Sequence, residues 1–210
     1  MHIPDGFLSP AVSVAAAGGS LAIGWWAVRR TERTLEDKRI PALGVTAAFI
    51  FAAQMINVPI AAGTSGHIMG AALAAATLGP AAGFVVMGVV LTIQALFFAD
   101  GGLTALGANL FNMGVVGVGT ATLLFTLARR VVPPTVAVGV GAAGSVMAAS
   151  IACAVELALS GTAPLGVVLP TILSIHTLIG LAEGIVTAAA LSTVMTVRPD
   201  IVAFAPEAAR

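Results

Sequence analysis

The chain has 210 residues, of which 59% are hydrophobic and 9% charged, and its basic and acidic side chains balance to a formal net charge of zero. Ordinary globular chains carry about 25% charged residues, so this composition, with a mean hydropathy of +1.06, excludes a soluble globular protein and predicts an all-α integral membrane protein. Cys153 is the single cysteine, which excludes a disulfide framework and a cysteine-built metal site; the lipid bilayer is the expected surrounding and no nucleic-acid partner is expected.

The chain opens MHIPDG. No basic stretch or cleavable signal precedes the first apolar run, so this end is expected to persist in the mature protein. A spanning helix needs about 20 apolar residues. Residues 9–28 supply the first, ending in Trp25-Trp26, an interfacial aromatic pair, and Arg29-Arg30. The stretch 31–39 (TERTLEDKR) reads as a charged loop. Apolar character returns over 40–58, breaks at PIAAGTSG, resumes over 67–79 and breaks at Gly79-Pro80. The run 67–79 is short for a span and is taken as one. Further spans are expected at 82–99, 104–128, 135–159 and 169–196. The whole chain, 1–210, is thus a single membrane domain, a bundle of seven transmembrane helices. Glycine and alanine are abundant, and spacings such as Gly66/Gly70, Gly79/Gly83 and Gly180/Gly184 suit closely approaching helices.

Basic residues mark the cytoplasmic side. With seven spans and the N-terminus outside, every lysine and arginine falls in the cytoplasmic segments and the C-terminus is cytoplasmic. Met1, His2, Asp5, the GTSGH loop, Asp100 and Glu156 then lie toward the outer face with no basic side chain opposing them. Such an acidic mouth concentrates cations.

A bulky second residue protects the initiator methionine, leaving an α-amine whose ordinary pKa is about 7.7 to 8. The amine, the His2 amide nitrogen and the His2 imidazole can form adjoining chelate rings around a divalent ion that displaces the amide proton. Three planar nitrogens and one more make a square-planar site, the geometry of Ni(II) or Cu(II). His67 is the candidate fourth nitrogen. It follows a loop and opens an apolar helix, whose positive N-terminus should keep its imidazole neutral. The alternatives are a frayed terminus for His2 and, for His67, a helix-end residue bonded to loop carbonyls.

His176 and Glu183 share one face of the last span. An intramembrane acid is costly and points to function; the pair reads either as a hydrogen-bonded lock between helices or as groups that orient ligands or couple transport. Asn57, Ser65, Gln94, Asp100, Asn109 and Asn112 flank the outer loops and could orient ligands or satisfy loop backbone. The scattered methionines read as core packing.

Two competing readings have their own residues. Gly63-Thr64-Ser65-Gly66 is a GxSG, and His176 with Gly180 and Gly184 is an HxxxGxxxG, the pattern of a rhomboid-like intramembrane serine protease with a Ser65/His176 dyad. A glycine-rich chain produces such a GxSG readily by chance, and the protease reading leaves MHIPDG and His67 without a role. An ion-coupled permease centred on His176 and Glu183 is the other.

The stretches MHIPDGFLSP, NVPIAAGTSGH (57–67), QALFFADGGLTALGANLFNMG (94–114) and HTLIGLAEG (176–184) resemble the substrate-binding S components of energy-coupling-factor transporters for nickel and cobalt, the NikM/CbiM type, over nearly the whole chain. The resemblance implies a seven-helix bundle with an external N-terminus. It assigns Met1, His2 and His67 as the planar four-nitrogen site. It also implies docking on a transmembrane coupling (T) protein and two cytoplasmic ATP-binding cassette ATPases in the inner (plasma) membrane of a prokaryote. The chain has no P-loop, so it is expected to be a transporter subunit rather than an enzyme. Without the fused C-terminal membrane segment of some nickel-type members, it is expected to use a small additional membrane subunit. The Pro4-Asp5 version of the start favours Ni(II) as transported substrate over Co(II) destined for cobalamin synthesis.

Overall fold

The computed structural model describes residues 1–59 and 65–204 and, for Lys38, Val58, Pro59 and Ser65, the backbone alone. The regular structure of the described residues is helical apart from a two-residue antiparallel pairing of β1 (Val58–Pro59) with β2 (Ser65–Gly66). The helices are α1 (Pro10–Thr34), α2 (Ile40–Gln54), α3 (Ala71–Leu78), α4 (Pro80–Phe97), α5 (Leu106–Leu110), α6 (Val118–Ala128), α7 (Pro134–Leu159) and α8 (Leu165–Val197). A π-helical segment, Phe111–Gly117, joins α5 to α6, so Leu106–Ala128 runs as one rod.

Five of these rods are long and apolar enough to cross a membrane: α1, α4, Leu106–Ala128, α7 and α8. The other two expected spans are shorter. α2 has 15 residues, because the chain leaves the helix at Met55 to reach the β pair. α3 has eight, all buried; at about 1.5 Å per residue it is roughly 12 Å long and does not cross a bilayer core of about 30 Å unaided. Residues 67–70 are not helical, so Gly66/Gly70 is no helix-packing pair. Gly70 instead turns the chain at φ +78°, where an added Cβ would meet Ile50 at 2.7 Å.

α1 runs past the expected boundary at residue 28 because Arg29, Arg30, Glu32 and Arg33 are good helix formers; residues 31–34 of the expected charged loop are its last turn, and 35–39 form the connection to α2. Ser9 caps its start by accepting from the Val12 N–H. Pro residues at the first positions of α1, α2, α4 and α7 set φ where no N–H is needed.

Small residues determine the packing. Gly139 of α7 and Gly184 of α8 face each other so closely that a Cβ on either would stand 2.9 Å from the other's carbonyl oxygen. Gly180 meets Ala143 in the same seam, and Gly83 of α4 lies against the α3 backbone at Ala75. In lipid, such van der Waals contact replaces the hydrophobic drive that holds soluble helices together.

The bundle has two chemically distinct ends. One gathers residues 1–9, the β pair, the 98–105 turn and the 160–164 turn: Thr162 Oγ1 donates to the Phe7 carbonyl, and Gly102 N–H to Ile3 O at 2.9 Å. The other gathers residues 35–39, 79, 129–133 and 198–204. There Arg39 Nη2 donates to Thr77 O at 2.7 Å and to Ile201 O at 2.8 Å, and the Ala203 N–H reaches Ala76 O and Thr77 O. The short α3 lies between these ends.

Candidate metal centre

The chain start is folded into the bundle instead of fraying from it. Met1 and Ile3 are fully buried and His2 is 3% exposed. Asn109 grips the Ile3 backbone on both sides, accepting from its N–H at 2.7 Å and donating to its carbonyl at 3.0 Å. Asp5 accepts from the Leu103 and Thr104 N–H groups and from the Thr104 hydroxyl, and these bonds hold its carboxyl below the ordinary range. The turn it grips needs glycine: a Cβ on Gly102 would collide with the Asp5 backbone, and one on Gly101 (φ +91°) would press on Asn109 and His2. The Met1 side chain reaches inward, where its sulfur accepts from Ser150 Oγ of α7 at 3.3 Å.

Met1 and His67 meet. The Met1 amine lies 3.2 Å from His67 Nε2, and Nδ1 of the same ring lies 2.9 Å from Ile68 O. A carbonyl can only accept, so Nδ1 carries the proton and Nε2 its lone pair. His67 is 2% exposed, buried rather than lying at the surface. Burial, then the neighbouring amine and His2, hold its pKa well below the ordinary value. That differs from the helix-end effect expected from the sequence, since α3 begins only at Ala71. Burial likewise lowers the amine from its ordinary 8.0 to about 5.

The His2 ring stacks on that of His67, with centroids 4.6 Å apart and planes 25° from parallel. Its Nε2 lies 3.2 Å from Gln94 Oε1 and its Nδ1 3.2 Å from Asp100 Oδ1. A neutral imidazole carries one proton, so between two acceptors one ring nitrogen turns a lone pair toward an oxygen, a pairing that a cation resolves. Burial lowers the His2 pKa despite Asp100. At Asp100 burial acts upward, but the His2 and amine contacts and the Asn57 bond outweigh it and hold the carboxyl below its ordinary value. Asn57 Nδ2 donates to Asp100 Oδ2 at 3.3 Å.

Among the described residues no cluster of three His, Cys, Asp or Glu side chains is arranged to hold a metal. The donors this end can offer are therefore mixed: two imidazole lone pairs, an amine kept neutral above about pH 5 and the adjoining backbone amide. All four are nitrogens, of a softness that suits late first-row divalent ions.

Of the remaining residues singled out from the sequence, Asn57, Gln94, Asp100 and Asn109 surround this site as described, whereas the Ser65 side chain and the loop 60–64 lie outside the described residues. His176 and Glu183 do not bond to each other. His176 is fully buried, with Nδ1 donating to Ile172 O of its own helix at 2.8 Å, and no hydrogen-bond partner is described for Nε2. Glu183 accepts from the Met69 N–H at 2.6 Å and the Gly70 N–H at 2.8 Å. Glu156 accepts from Asn112 Nδ2 at 2.6 Å. Two residues next to the site escaped the sequence reading. Gln54, whose Nε2 donates to Met69 O at 2.7 Å, was signalled only by being an amide in an apolar run; Ser150 carried no signal.

Comparison with known proteins finds relatives that are named as metal transporters. The sequence profile of a family described as "Cobalt uptake substrate-specific transmembrane region" matches residues 2–201. The fused nickel transport protein NikMN of Rhodobacter capsulatus is 34% identical over 97% of this chain, which spans 64% of that relative's length. The cobalt transport protein CbiM of Sorangium cellulosum is 38% identical over 96% of this chain and 94% of its own. A crystal structure of a truncated transition metal transporter superposes with a TM-score of 0.89 at 31% identity, covering 93% of this chain and 99% of the other.

Proposed function

The chain belongs to the family of substrate-specific transmembrane regions of cobalt uptake, and from that premise we propose that it captures Ni(II) at the outer face of the membrane with four nitrogens: the Met1 amine, the His2 amide, His2 Nδ1 and His67 Nε2. The ion is the transported substrate. The observation that carries the reading is the buried Met1 amine 3.2 Å from His67 Nε2, an arrangement with no use for a solvated chain end. Loss of the amide proton lowers the charge of the loaded site by one, and Asp100 beside His2 offsets more of it. Four planar nitrogens favour Ni(II) over Co(II), and Cu(II) binds such a set more tightly still. Co(II) uptake for cobalamin synthesis is the second reading, favoured by the family description and the Sorangium relative.

In this proposal the bundle crosses the membrane seven times, α2 and α3 being the short passes, with the N-terminus outside in the inner membrane of a prokaryote. The loaded protein delivers its ion through a transmembrane coupling protein driven by two cytoplasmic ATPases, with a small membrane subunit assisting. The chain itself acts as a transport subunit and not as an enzyme; the protease reading gains nothing from relatives that are named as transport proteins.

The reading requires the mature protein to begin at Met1, which intact mass measurement checks. Acetylation of the Met1 amine removes its lone pair while leaving the order of residues unchanged. Ni(II) affinity is expected to fall at least about a hundredfold, since the fork loses its terminal donor, while a C-terminal tag leaves it unchanged. Native affinity in the acetylated protein, measured by titration, would sink the terminal-fork site.

A further inference from the structure

The peptide unit between Ile68 and Met69 is held from both sides. Its N–H donates to Glu183 Oε2 at 2.6 Å, and its C=O accepts the Nδ1 proton of His67 at 2.9 Å. The other carboxylate oxygen takes the next N–H, that of Gly70, at 2.8 Å. Glu183, the Ile68–Met69 peptide and the His67 imidazole thus form one line of hydrogen bonds that ends at Nε2, the nitrogen facing the Met1 amine. Glu183 itself is fully buried in α8, and its two bonds reach 114 and 113 residues back along the chain.

Helix capping alone does not call for this device. The N-cap of α3 is Gly70, which has no side chain and makes no local cap; serine, threonine or aspartate near that position is the ordinary way to satisfy such N–H groups. A carboxylate delivered from a distant intramembrane helix does more than satisfy them. In metal sites the imidazole N–H that points away from the ion is held by a carboxylate or a backbone carbonyl, which fixes the tautomer and raises the basicity of the coordinating nitrogen. Here the two partners act in series: the carboxylate polarises the peptide, and the peptide oxygen holds the imidazole proton more strongly. The loop is rigid enough to transmit this. Gln54 of α2 donates to Met69 O at 2.7 Å, and Gly70 is packed against Ile50.

We propose that Glu183 is the positioning residue for the metal ligand His67, acting through the Ile68–Met69 peptide to fix the ring's tautomer and aim, and that it ties the ion to α8. Any rearrangement that withdraws α8 from the 67–70 loop loosens the fourth nitrogen while leaving the three donors of the chain start in place. Glu183 is a release lever as well as a support.

This inference rests on Ni(II) binding at His67, and a double-mutant cycle on the purified full-length protein distinguishes the failure of either. Ni(II) dissociation constants and the visible absorption of the bound ion are measured for the wild type, His67→Ala, Glu183→Gln and the double variant. Glu183→Gln is expected to weaken binding about 10- to 100-fold in the wild-type background and less than about threefold where His67 is already absent, with the absorption band moved toward that of His67→Ala. An equal loss in both backgrounds, or no loss in either, overturns the proposal, because a residue that merely supports the fold would not act through one imidazole. Glu183→Asp keeps the charge but shortens the reach. It is expected to lie between the wild type and Glu183→Gln, and it carries the test if Glu183→Gln does not fold. If His67→Ala binds Ni(II) as the wild type does, the metal site itself is misassigned and the Glu183 inference falls with it.

Discussion

Burial of the Met1 amine changes what pH should do to metal binding. An ordinary α-amine would compete with the ion for its lone pair up to about pH 8, but in the folded chain this amine titrates at about 5, and both imidazoles are pushed below their ordinary value by burial. From about pH 6 to 8.5 the only proton the ion must displace is then that of the His2 amide, so the logarithm of the affinity should rise by about one per pH unit. Below about 5 the amine joins and the slope steepens. A slope of two across neutral pH would mean an exposed amine; no slope would mean carboxylate ligands. The same depression bears on stability. Between pH 8.0 and about 5 the unfolded chain holds a proton on the amine that the folded chain lacks, so stability is full above pH 8 and declines as pH falls. Thermal unfolding of the metal-free protein should therefore occur at lower temperature at pH 5.5 than at pH 8.

α3 shows why so short a helix is stable in the middle of the bundle. The two N–H groups just before its first residue, those of Met69 and Gly70, meet the Glu183 carboxylate, and the Thr77 carbonyl near its end meets the Arg39 guanidinium, each charge of the sign its end of the helix dipole favours. Both partners come from other elements, so α3 is only as well placed as α8 and the α1–α2 connection. That dependence makes the Gly139–Gly184 seam part of the site. Gly184→Val should force α8 away from α7, costing about 1–3 kcal/mol by overpacking. It should also pull the adjacent Glu183 off the loop, so that Ni(II) affinity and the melting temperature fall together. A loss of stability with unchanged affinity would uncouple seam from site. Local patterns in the sequence reach some of these elements and not others. Apolar runs bounded by proline, glycine and arginine located α4 and α7 to within two residues or so, expected at 82–99 and 135–159 and found at Pro80–Phe97 and Pro134–Leu159. Met1, His2 and His67 stood out because their chemistry is unusual at those places. The non-helical path of 67–70 was hidden, because residues 67–79 read as one apolar run. The roles of Gln54 and Glu183 depend on partners 15 to 114 residues away, a relation no local pattern carries.

The whole molecule is polarised along the bundle. Asp5, Asp100 and the imidazoles of His2 and His67 collect at one end, whereas Arg29, Arg30 and Arg33 cluster beside Trp25 and Trp26 near the other, and Arg39 binds the terminal turn there. Basic residues stay on the cytoplasmic side of a membrane and aromatic rings sit at its interface, so the metal end should face outward. The orientation has a direct test. Leu103 at the metal end is 54% exposed and Val131 at the basic end 84% exposed, while Cys153 is fully buried. In a Cys153→Ala background, Leu103→Cys should react in intact cells with a maleimide that cannot cross the membrane, and Val131→Cys should react only after the cells are opened. The reverse pattern would place the metal end in the cytoplasm, where it could not capture an ion from outside, and the uptake reading would have to be abandoned even if every nitrogen of the site were correctly assigned. With the expected pattern, Ni(II) added before labelling should slow the reaction at Leu103→Cys, because the turn that carries it is gripped by Asp5 and the ion would draw His2, three residues away, tighter against the bundle.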